Sequence, residues 1–276
     1  MKRASAVFVA DRFPALRHCL LELLGDLSRK EWDRETVARL WSVKDIVAHL
    51  LGGDIGILSR QRDAYRPAGK AIEDFRELVQ FINNLNDQWV QAARRMSPRV
   101  LCELLAFTGP LVESYFGSLD LLAVGEPVSW AGPDPAPVWL DVAREFTERW
   151  HHQQQIRDAT ARPPLYAPYF LAPVLDTFVR ALPYSFRDTV AAEGTVVKIG
   201  ISGEAGGCWF LQRENTDWQL CVEADRAPSA EVTIPQDAAW RLFTKGIRTE
   251  QARSLVTIRG ESSLVSNVFR TVAVIA

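Results

Sequence analysis

A glutamate and a histidine lie four residues apart in the stretch EFTERWHHQQQIRDA, residues 145–159, of a chain that contains only four histidines. If this stretch is helical, Glu148 and His152 lie one turn apart on the same face and can bind one ion together. A carboxylate oxygen and an imidazole nitrogen suit zinc or another divalent ion. The pair alone is weak evidence, because the polar stripe that also includes Arg144 and Gln155 fits the solvated face of a surface helix.

A third candidate ligand, His49, lies about 100 residues earlier in WSVKDIVAHLLGGD, residues 41–54. This histidine is well off the centre of the apolar stripe of the predicted helix and is close to Gly52, Gly53 and Gly56. Each glycine costs a helix about 1 kcal/mol relative to alanine, so three of them beside a histidine predict the close approach of another group. The alternative is a partly exposed histidine next to a flexible helix end.

Other residues of catalytic type are expected to have supporting or structural roles. His151 points about 100° away from His152 on a helix, so both cannot bind one ion without distortion, and His151 is expected at the surface or beside the ligands. His18, in an apolar first helix, is expected to be structural. The cysteines form no C-x-x-C pair, which argues against a zinc ribbon or a disulfide framework. Buried thiols in a reducing cytoplasm are expected at Cys19, Cys102, Cys208 and Cys221.

The candidate ligands lie within a long helical region. The first 190 residues have the apolar spacing of helices. Ser42 is the predicted N-cap of the helix that carries His49. A later helix is expected to be interrupted near Gly109 and Pro110. The proline-rich loop GPDPAPVW, residues 132–139, then leads into the helix that carries Glu148 and His152.

The pattern changes after a further helical stretch around residues 169–188. Short β-rich runs follow in GTVVKIGISG, GCWFLQR and DWQLCVEA, with a hairpin turn predicted at ENTD between the last two. AEVTIPQDAAWRLFTKG predicts a strand and then a helix capped near Gly246, and residues 255–275 repeat that order. The sequence therefore predicts a helical domain and a smaller α+β domain, with a boundary between residues 165 and 190.

Composition excludes several classes of protein. The chain has 276 residues, 24% of them charged, and a formal net charge of −2, without the clustered Lys and Arg of a nucleic-acid groove or an anionic membrane surface. No segment approaches the ~18 apolar residues of a spanning helix, and the N-terminal run AVFVA is too short for a signal peptide. A cytoplasmic protein without nucleic-acid or membrane partners is expected.

Two segments carry a resemblance to a known family. WSVKDIVAHL at residues 41–50 and ERWHHQQQIRDA at residues 148–159 resemble the mycothiol-dependent maleylpyruvate isomerase family, within the DinB-like metal-binding four-helix bundles. In that family a histidine from the second bundle helix joins a Glu-x-x-x-His pair, which implies a metal site of His49, Glu148 and His152. The C-terminal part is similar to the sterol-carrier-like second domain of these proteins. The implied fold is a DinB-like helical bundle over residues 1–165, then a linker helix and an α+β sterol-carrier-like domain over residues 166–276.

The resemblance implies a function as well as a fold. It implies an isomerase or transferase that depends on Zn²⁺ or another divalent metal and on a low-molecular-weight thiol such as mycothiol. The substrate would be a small electrophile, and the protein a monomer or weak dimer. The alternative is a non-catalytic metal-binding protein whose second domain binds a hydrophobic small molecule.

Three further residues are candidates to support the ligands or to contact substrate. Gln155 stands where family members often have Asp, so a carboxylate role beside the histidine ligand becomes an amide role. Members with isomerase activity carry an arginine close to the turn that reads TKGIR in this chain. Lys245 and Arg248 are the nearby candidates for that position.

Overall fold

The computed structural model of the chain describes residues 1–66 and 72–274, which divide by their contacts into two compact units. The helical unit consists of Val9–Asp120 and Glu148–Leu165. The mixed unit consists of Met1–Phe8, Leu121–Thr147 and Tyr166–Val274. The chain passes from the helical unit to the mixed unit between residues 165 and 166. Residues 1–8 and 121–147, although earlier in the sequence, also belong to the mixed unit. All three candidate ligands lie in the helical unit.

The helical unit is built around an apolar core. Its helices are α1 (Phe13–Gly25), α2 (Arg29–Trp32), α3 (Val43–Gly56), α4 (Phe75–Ala93), α5 (Pro98–Gly117) and the second half of α6 (Val138–Ala159). A π-helical segment, Ile57–Arg62, continues α3. The buried core side chains come from several of these helices and include Leu20, Leu24, Ile46, Val47, Leu51, Leu101 and Ile156. Among the described residues, no helix is both long and apolar enough to cross a membrane.

The start of α3 is fixed by hydrogen bonds and an ion pair. Ser42 is the N-cap, as predicted: its hydroxyl accepts from the Asp45 amide at 3.3 Å, and the Asp45 carboxylate accepts from the Ser42 amide at 3.1 Å. Arg94 donates to both oxygens of the same carboxylate, from Nε at 2.9 Å and from Nη2 at 3.1 Å. Asp45 therefore joins the start of the helix that carries His49 to the residue that follows α4.

Replacing Asp45 with asparagine is expected to lower the free energy of unfolding by about 2 kcal/mol at pH 7, since charge-assisted hydrogen bonds are lost. Burial opposes ionisation of Asp45, but hydrogen bonds from Arg94 and Ser42 outweigh it and lower the pKa of the carboxyl below its usual value. A folded pKa below that of the unfolded chain stabilises the protein above about pH 4, and this contribution is lost as pH falls through the folded pKa. Urea unfolding should show the difference between the two proteins narrowing below pH 4. A constant difference from pH 7 to pH 3 would contradict this account.

Helix α5 is continuous through Gly109 and Pro110, so the predicted interruption is wrong. The glycine serves close packing rather than a break. A Cβ at Gly109 would lie 2.2 Å from the Cδ atom of Arg17. Arg17 in turn donates from Nε to Oε1 of Glu113 at 2.6 Å. Glu113 lies on α5, the same helix as Gly109. The Gly109–Pro110 step therefore admits the arginine that joins α1 to α5.

The mixed unit contains a six-stranded sheet. Its strands are β1 (Lys2–Arg3), β2 (Val196–Ser202), β3 (Gly207–Glu214), β4 (Asp217–Glu223), β5 (Ala230–Pro235) and β6 (Thr257–Gly260), in the order β1-β4-β3-β2-β5-β6. Neighbouring strands are antiparallel except β2 and β5, which are parallel. The predicted hairpin between β3 and β4 is confirmed, with Asn215 at φ 50° in its turn. The unit also contains α7 (Pro168–Phe178), α8 (Leu182–Ser185), α9 (Gln236–Phe243) and α10 (Thr249–Ser254).

Two details of the mixed unit differ from the sequence prediction. The helix that was expected after β6 is only a short 3-10 helix, Ser266–Arg270, and Ile275 at the end of that stretch lies outside the described residues. Helix α9 ends at Phe243, and the left-handed residue after it is Lys245 at φ 58°, not Gly246. A lysine adopts this conformation less readily than a glycine, which is why sequence reasoning favoured the glycine.

Candidate metal centre

The three residues predicted as metal ligands lie together in the helical unit. His49 is on α3, and Glu148 and His152 are one turn apart on α6. The Oε1 atom of Glu148 lies 3.3 Å from Nε2 of His49 and 2.9 Å from Nε2 of His152. One potential ligand atom from each residue falls within 4.8 Å of the other two. Side chains that are about 100 residues apart in sequence therefore form one cluster.

Gln155 sets the orientation of the His152 ring. The Nδ1 atom of His152 lies 2.9 Å from Gln155 Oε1, which can only accept, so Nδ1 carries the hydrogen. In the neutral ring this leaves a lone pair on Nε2, facing the Glu148 carboxylate. Two electron-rich atoms at 2.9 Å need a proton or a metal cation between them. Two imidazole nitrogens and a carboxylate oxygen also match the ligand set of a divalent ion such as zinc.

The charge state of the cluster follows from its surroundings. Burial opposes ionisation of Glu148. When a proton lies between His152 Nε2 and Glu148, the charge of His152 and the hydrogen bonds from His152 and His49 outweigh burial, and the pKa of Glu148 is lowered well below its usual value. Burial, together with the charge of His152, lowers the pKa of His151 to about 3. At neutral pH Glu148 is therefore an anion and His151 a neutral imidazole.

His151 lies beside the candidate ligands and not at the surface. Its ring centroid is 4.1 Å from that of His152, and its Nδ1 atom is 3.8 Å from Glu148 Oε2. The residue is 5% exposed, and Nδ1 has no hydrogen-bond partner within the part of the chain that the structure describes. Of the two expectations for His151, the surface position is wrong.

The middle of α6 is buried, so its polar residues do not form a solvated face. His152 and Gln155 are buried, as are Gln153 and Gln154. Only Glu148 among the three candidate ligands keeps substantial exposure, with 31% of its side chain accessible, against 13% for His49 and 7% for His152. The surface-helix alternative is therefore wrong, and the cluster can be approached by a small molecule at Glu148.

Trp41 forms one flank of the cluster and was missed by sequence reasoning. Its ring centroid lies 4.8 Å from that of His49 and 6.4 Å from that of His152. The Trp41 backbone is held in place: its carbonyl accepts from the Thr36 hydroxyl at 2.8 Å, and its amide donates to the Ala38 carbonyl at 2.7 Å. The available signal was the position of Trp41 directly before the N-cap of α3.

The glycines next to His49 have different roles. A Cβ at Gly52 would lie 2.6 Å from the Trp89 ring, and Trp89 Nε1 donates to the Ala48 carbonyl at 2.7 Å. The predicted close approach of another group is therefore confirmed at Gly52. A Cβ at Gly53 or Gly56 would meet nothing within 4 Å, so the expectation is wrong at these two positions.

The remaining candidates lie away from this cluster or in the other unit. His18 has a side chain that is 72% exposed and pairs with Glu22 on α1. Lys245 and Arg248 lie between α9 and α10 of the mixed unit, where they line an open cleft with Phe269 and other residues, and their contact with substrate stays a prediction. The expectation of buried thiols holds for Cys221, while Cys19 and Cys102 are half-buried and Cys208 is exposed.

Comparisons with known proteins agree with the fold. The model of the mycothiol maleylpyruvate isomerase N-terminal domain family matches residues 13–157, which include all three candidate ligands. Crystal structures of mycothiol-dependent maleylpyruvate isomerase and of its histidine-to-alanine mutant match with TM-scores of 0.50 and 0.51. Both are 10% identical to this chain, and each alignment covers 84% of this chain and 88% of the other.

At this identity the likeness concerns the fold alone. Sterol carrier protein 2 from Yarrowia lipolytica is 9% identical over 50% of this chain and 91% of its own, with a TM-score of 0.24 that is too low to support an argument. A search of curated proteins found no significant match. The family model matches residues 13–157, which are more than half of this chain. The chain therefore belongs to the mycothiol maleylpyruvate isomerase N-terminal domain family.

Proposed function

We propose that the protein is an isomerase or transferase that depends on a divalent metal and a low-molecular-weight thiol, and that it acts on a small electrophilic substrate. The observation that carries this proposal is the convergence of His49, Glu148 and His152. The Oε1 atom of Glu148 lies 2.9 Å from Nε2 of His152 and 3.3 Å from Nε2 of His49. The chain also belongs to a family named for a mycothiol-dependent isomerase.

Each side chain of the cluster has a role in this proposal. His49, Glu148 and His152 would hold the ion, and Gln155 would keep the His152 ring in the orientation that presents Nε2. Three protein ligands leave room for an exogenous ligand, as catalytic zinc sites do and structural sites usually do not. A divalent ion bound there favours thiolate over thiol, which supplies a strong nucleophile at neutral pH.

The residues around the cluster would leave one side open to a thiol and an electrophile. The indole of Trp41 lies against the His49 ring on one side, while the partly exposed Glu148 leaves an approach to the cluster. The thiolate sulfur would form a bond to one carbon of a double bond in the substrate, and the electron pair of that double bond would move onto the carbonyl group conjugated to it. Rotation about the resulting single bond, and then elimination of the same thiolate, would restore the double bond in the other configuration. The four cysteines of the chain lie outside the cluster and are not required.

Replacing Gln155 with leucine is expected to weaken metal binding by roughly 10-fold, because loss of a group that orients a ligand typically costs 10- to 100-fold in affinity. Leucine keeps the approximate volume but cannot accept from His152 Nδ1. The measurement is the dissociation constant for Co²⁺ from its absorption spectrum. Gln155→Glu, which retains an acceptor, is the matched control and should bind at least as tightly as the parent protein. Equal affinity in the leucine variant would show that the hydrogen bond does not orient the ligand.

The experiment that tests the proposed function has two parts. Protein purified without an affinity tag should contain about one divalent ion per chain, by elemental analysis. The metal-loaded protein should then be screened with mycothiol, bacillithiol and glutathione against small electrophilic acids, including maleylpyruvate. Turnover that needs both metal and thiol would support the proposal. Bound metal without turnover for any pair would favour the non-catalytic alternative.

A further inference from the structure

A buried ion pair joins α3 to α6 next to the candidate metal centre. Arg149 Nη2 donates to Asp54 Oδ1 at 2.7 Å, and the Thr108 hydroxyl donates to Asp54 Oδ2 at 2.8 Å. Only 6% of the Asp54 side chain and 15% of the Arg149 side chain are exposed. The guanidinium also lies over the Phe13 ring, 5.6 Å from its centroid. Both oxygens of Asp54 are thus bonded inside the helical unit.

The pair connects the two helices that carry the candidate ligands. Asp54 follows His49 on α3, and Arg149 directly follows Glu148 on α6. A small cavity next to the pair has a volume of about 30 Å³. Besides Asp54 and Arg149, it is lined by Arg17, Gln153 and the leucines Leu16, Leu20, Leu50 and Leu105. The ion pair is therefore largely shielded from water, and Asp54 lies one to two helical turns after His49 on α3.

A buried ion pair is often not needed to hold two helices together. Removing two charges from water costs free energy, and replacing a buried ion pair with apolar residues of similar volume is often neutral or stabilising. A bonded ion pair differs from apolar contacts because it is directional. A slip of one residue along a helix turns its side chains by about 100° and moves them by about 1.5 Å, which would separate the donors of the centre.

We propose that Asp54 and Arg149 are positioning residues that fix the register of α3 against α6 and so bring His49 to Glu148 and His152. This inference rests on the proposed metal-dependent function. Its specific consequence is that the pair matters for metal affinity more than for folding. A pair with a purely structural role would show the opposite pattern.

The test replaces the whole pair with apolar residues of similar size. The double variant Asp54→Leu, Arg149→Met should unfold at a temperature equal to or above that of the parent protein without metal. Its dissociation constant for Co²⁺ should rise by roughly 10- to 100-fold, the range for loss of groups that orient ligands. The absorption bands of bound Co²⁺ should also shift, because the ligand geometry is altered.

The matched control is the pair Arg17 and Glu113, which joins α1 to α5 through bonds of 2.6 and 3.1 Å. Arg17 lines the same small cavity, but neither helix carries a candidate ligand. The double variant Arg17→Met, Glu113→Leu should bind Co²⁺ with an affinity close to that of the parent protein. An equal loss of affinity in both double variants would overturn the proposal.

Other outcomes are also decisive. Parent-like Co²⁺ affinity in the Asp54→Leu, Arg149→Met variant would overturn the positioning role and leave the proposed function intact. Failure of the parent protein itself to bind Co²⁺ would overturn both. If the double variant does not fold, Arg149→Lys provides the test, because lysine keeps the charge but not the planar donor geometry of arginine. This variant should fold and bind Co²⁺ several-fold more weakly, and unchanged affinity would overturn the proposal.

Discussion

Replacing His152 with alanine should lower the affinity of the protein for Zn²⁺ or Co²⁺ by more than roughly 100-fold. That value is the upper end for loss of a residue that only orients a ligand, and His152 is proposed to be a ligand itself. Its Nε2 atom is 2.9 Å from Glu148 Oε1, and Nδ1 is engaged with Gln155. Alanine removes one of the three proposed metal ligands and takes away the imidazole that lies closest to the Glu148 carboxylate.

The matched control for this substitution is His18→Ala. His18 is the same residue type, but its side chain is 72% exposed on α1 and lies outside the cluster. The dissociation constants of the two variants for Co²⁺ are to be measured by absorbance, with competition against a chelator for the tight complexes. His18→Ala should equal the parent protein. If His152→Ala also binds as tightly as the parent protein, His152 is not a ligand.

Removal of the metal by a chelator should reduce thiol-dependent turnover by more than roughly 100-fold. At neutral pH only a few per cent of a free thiol is ionised, and the protein without metal would also lose the positioning of the thiol beside the electrophile. Turnover should return on addition of about one equivalent of Zn²⁺ or Co²⁺ per chain. The measurement is the initial rate at saturating thiol, with and without the metal.

A control for the chelator is the same chelator saturated with Zn²⁺ beforehand, which should leave the rate unchanged. Undiminished turnover by protein shown by elemental analysis to lack metal would mean that the reaction proceeds without it. Binding of the thiol would then depend on other residues of the chain.

Features that depend on local rules were predictable from the sequence. The Ser42 cap follows from a serine before an apolar periodic run, and the turn at Asn215 follows from polar residues between two β-rich segments. The spacing of Glu148 and His152 likewise places both on one helix face, whatever surrounds the helix. The prediction that His49 joins Glu148 and His152 in one site came from the family resemblance. Helix periodicity does not indicate which faces of two helices meet.

Most features that depend on tertiary contacts were not predictable, although the glycines beside His49 did predict the close approach found at Gly52. Gly109 suggested a break, but the contact of Arg17 with that glycine exists only in the folded helical unit. The polar stretch of α6 looked like a solvated face because periodicity does not distinguish water from a buried polar cluster. The ion pair of Asp54 with Arg149 joins residues 95 positions apart, and no local pattern indicates it.

The most direct test of the central claim is titration of the Co²⁺-loaded protein with mycothiol, bacillithiol and glutathione. Binding of a thiolate to Co²⁺ produces an intense absorption that neither the thiol nor the loaded protein has alone. At least one of the three thiols should produce this absorption and saturate it, and the same titration of His152→Ala should not. An unchanged spectrum with all three thiols, in protein that retains its Co²⁺, would contradict a thiol-dependent metal centre at His49, Glu148 and His152.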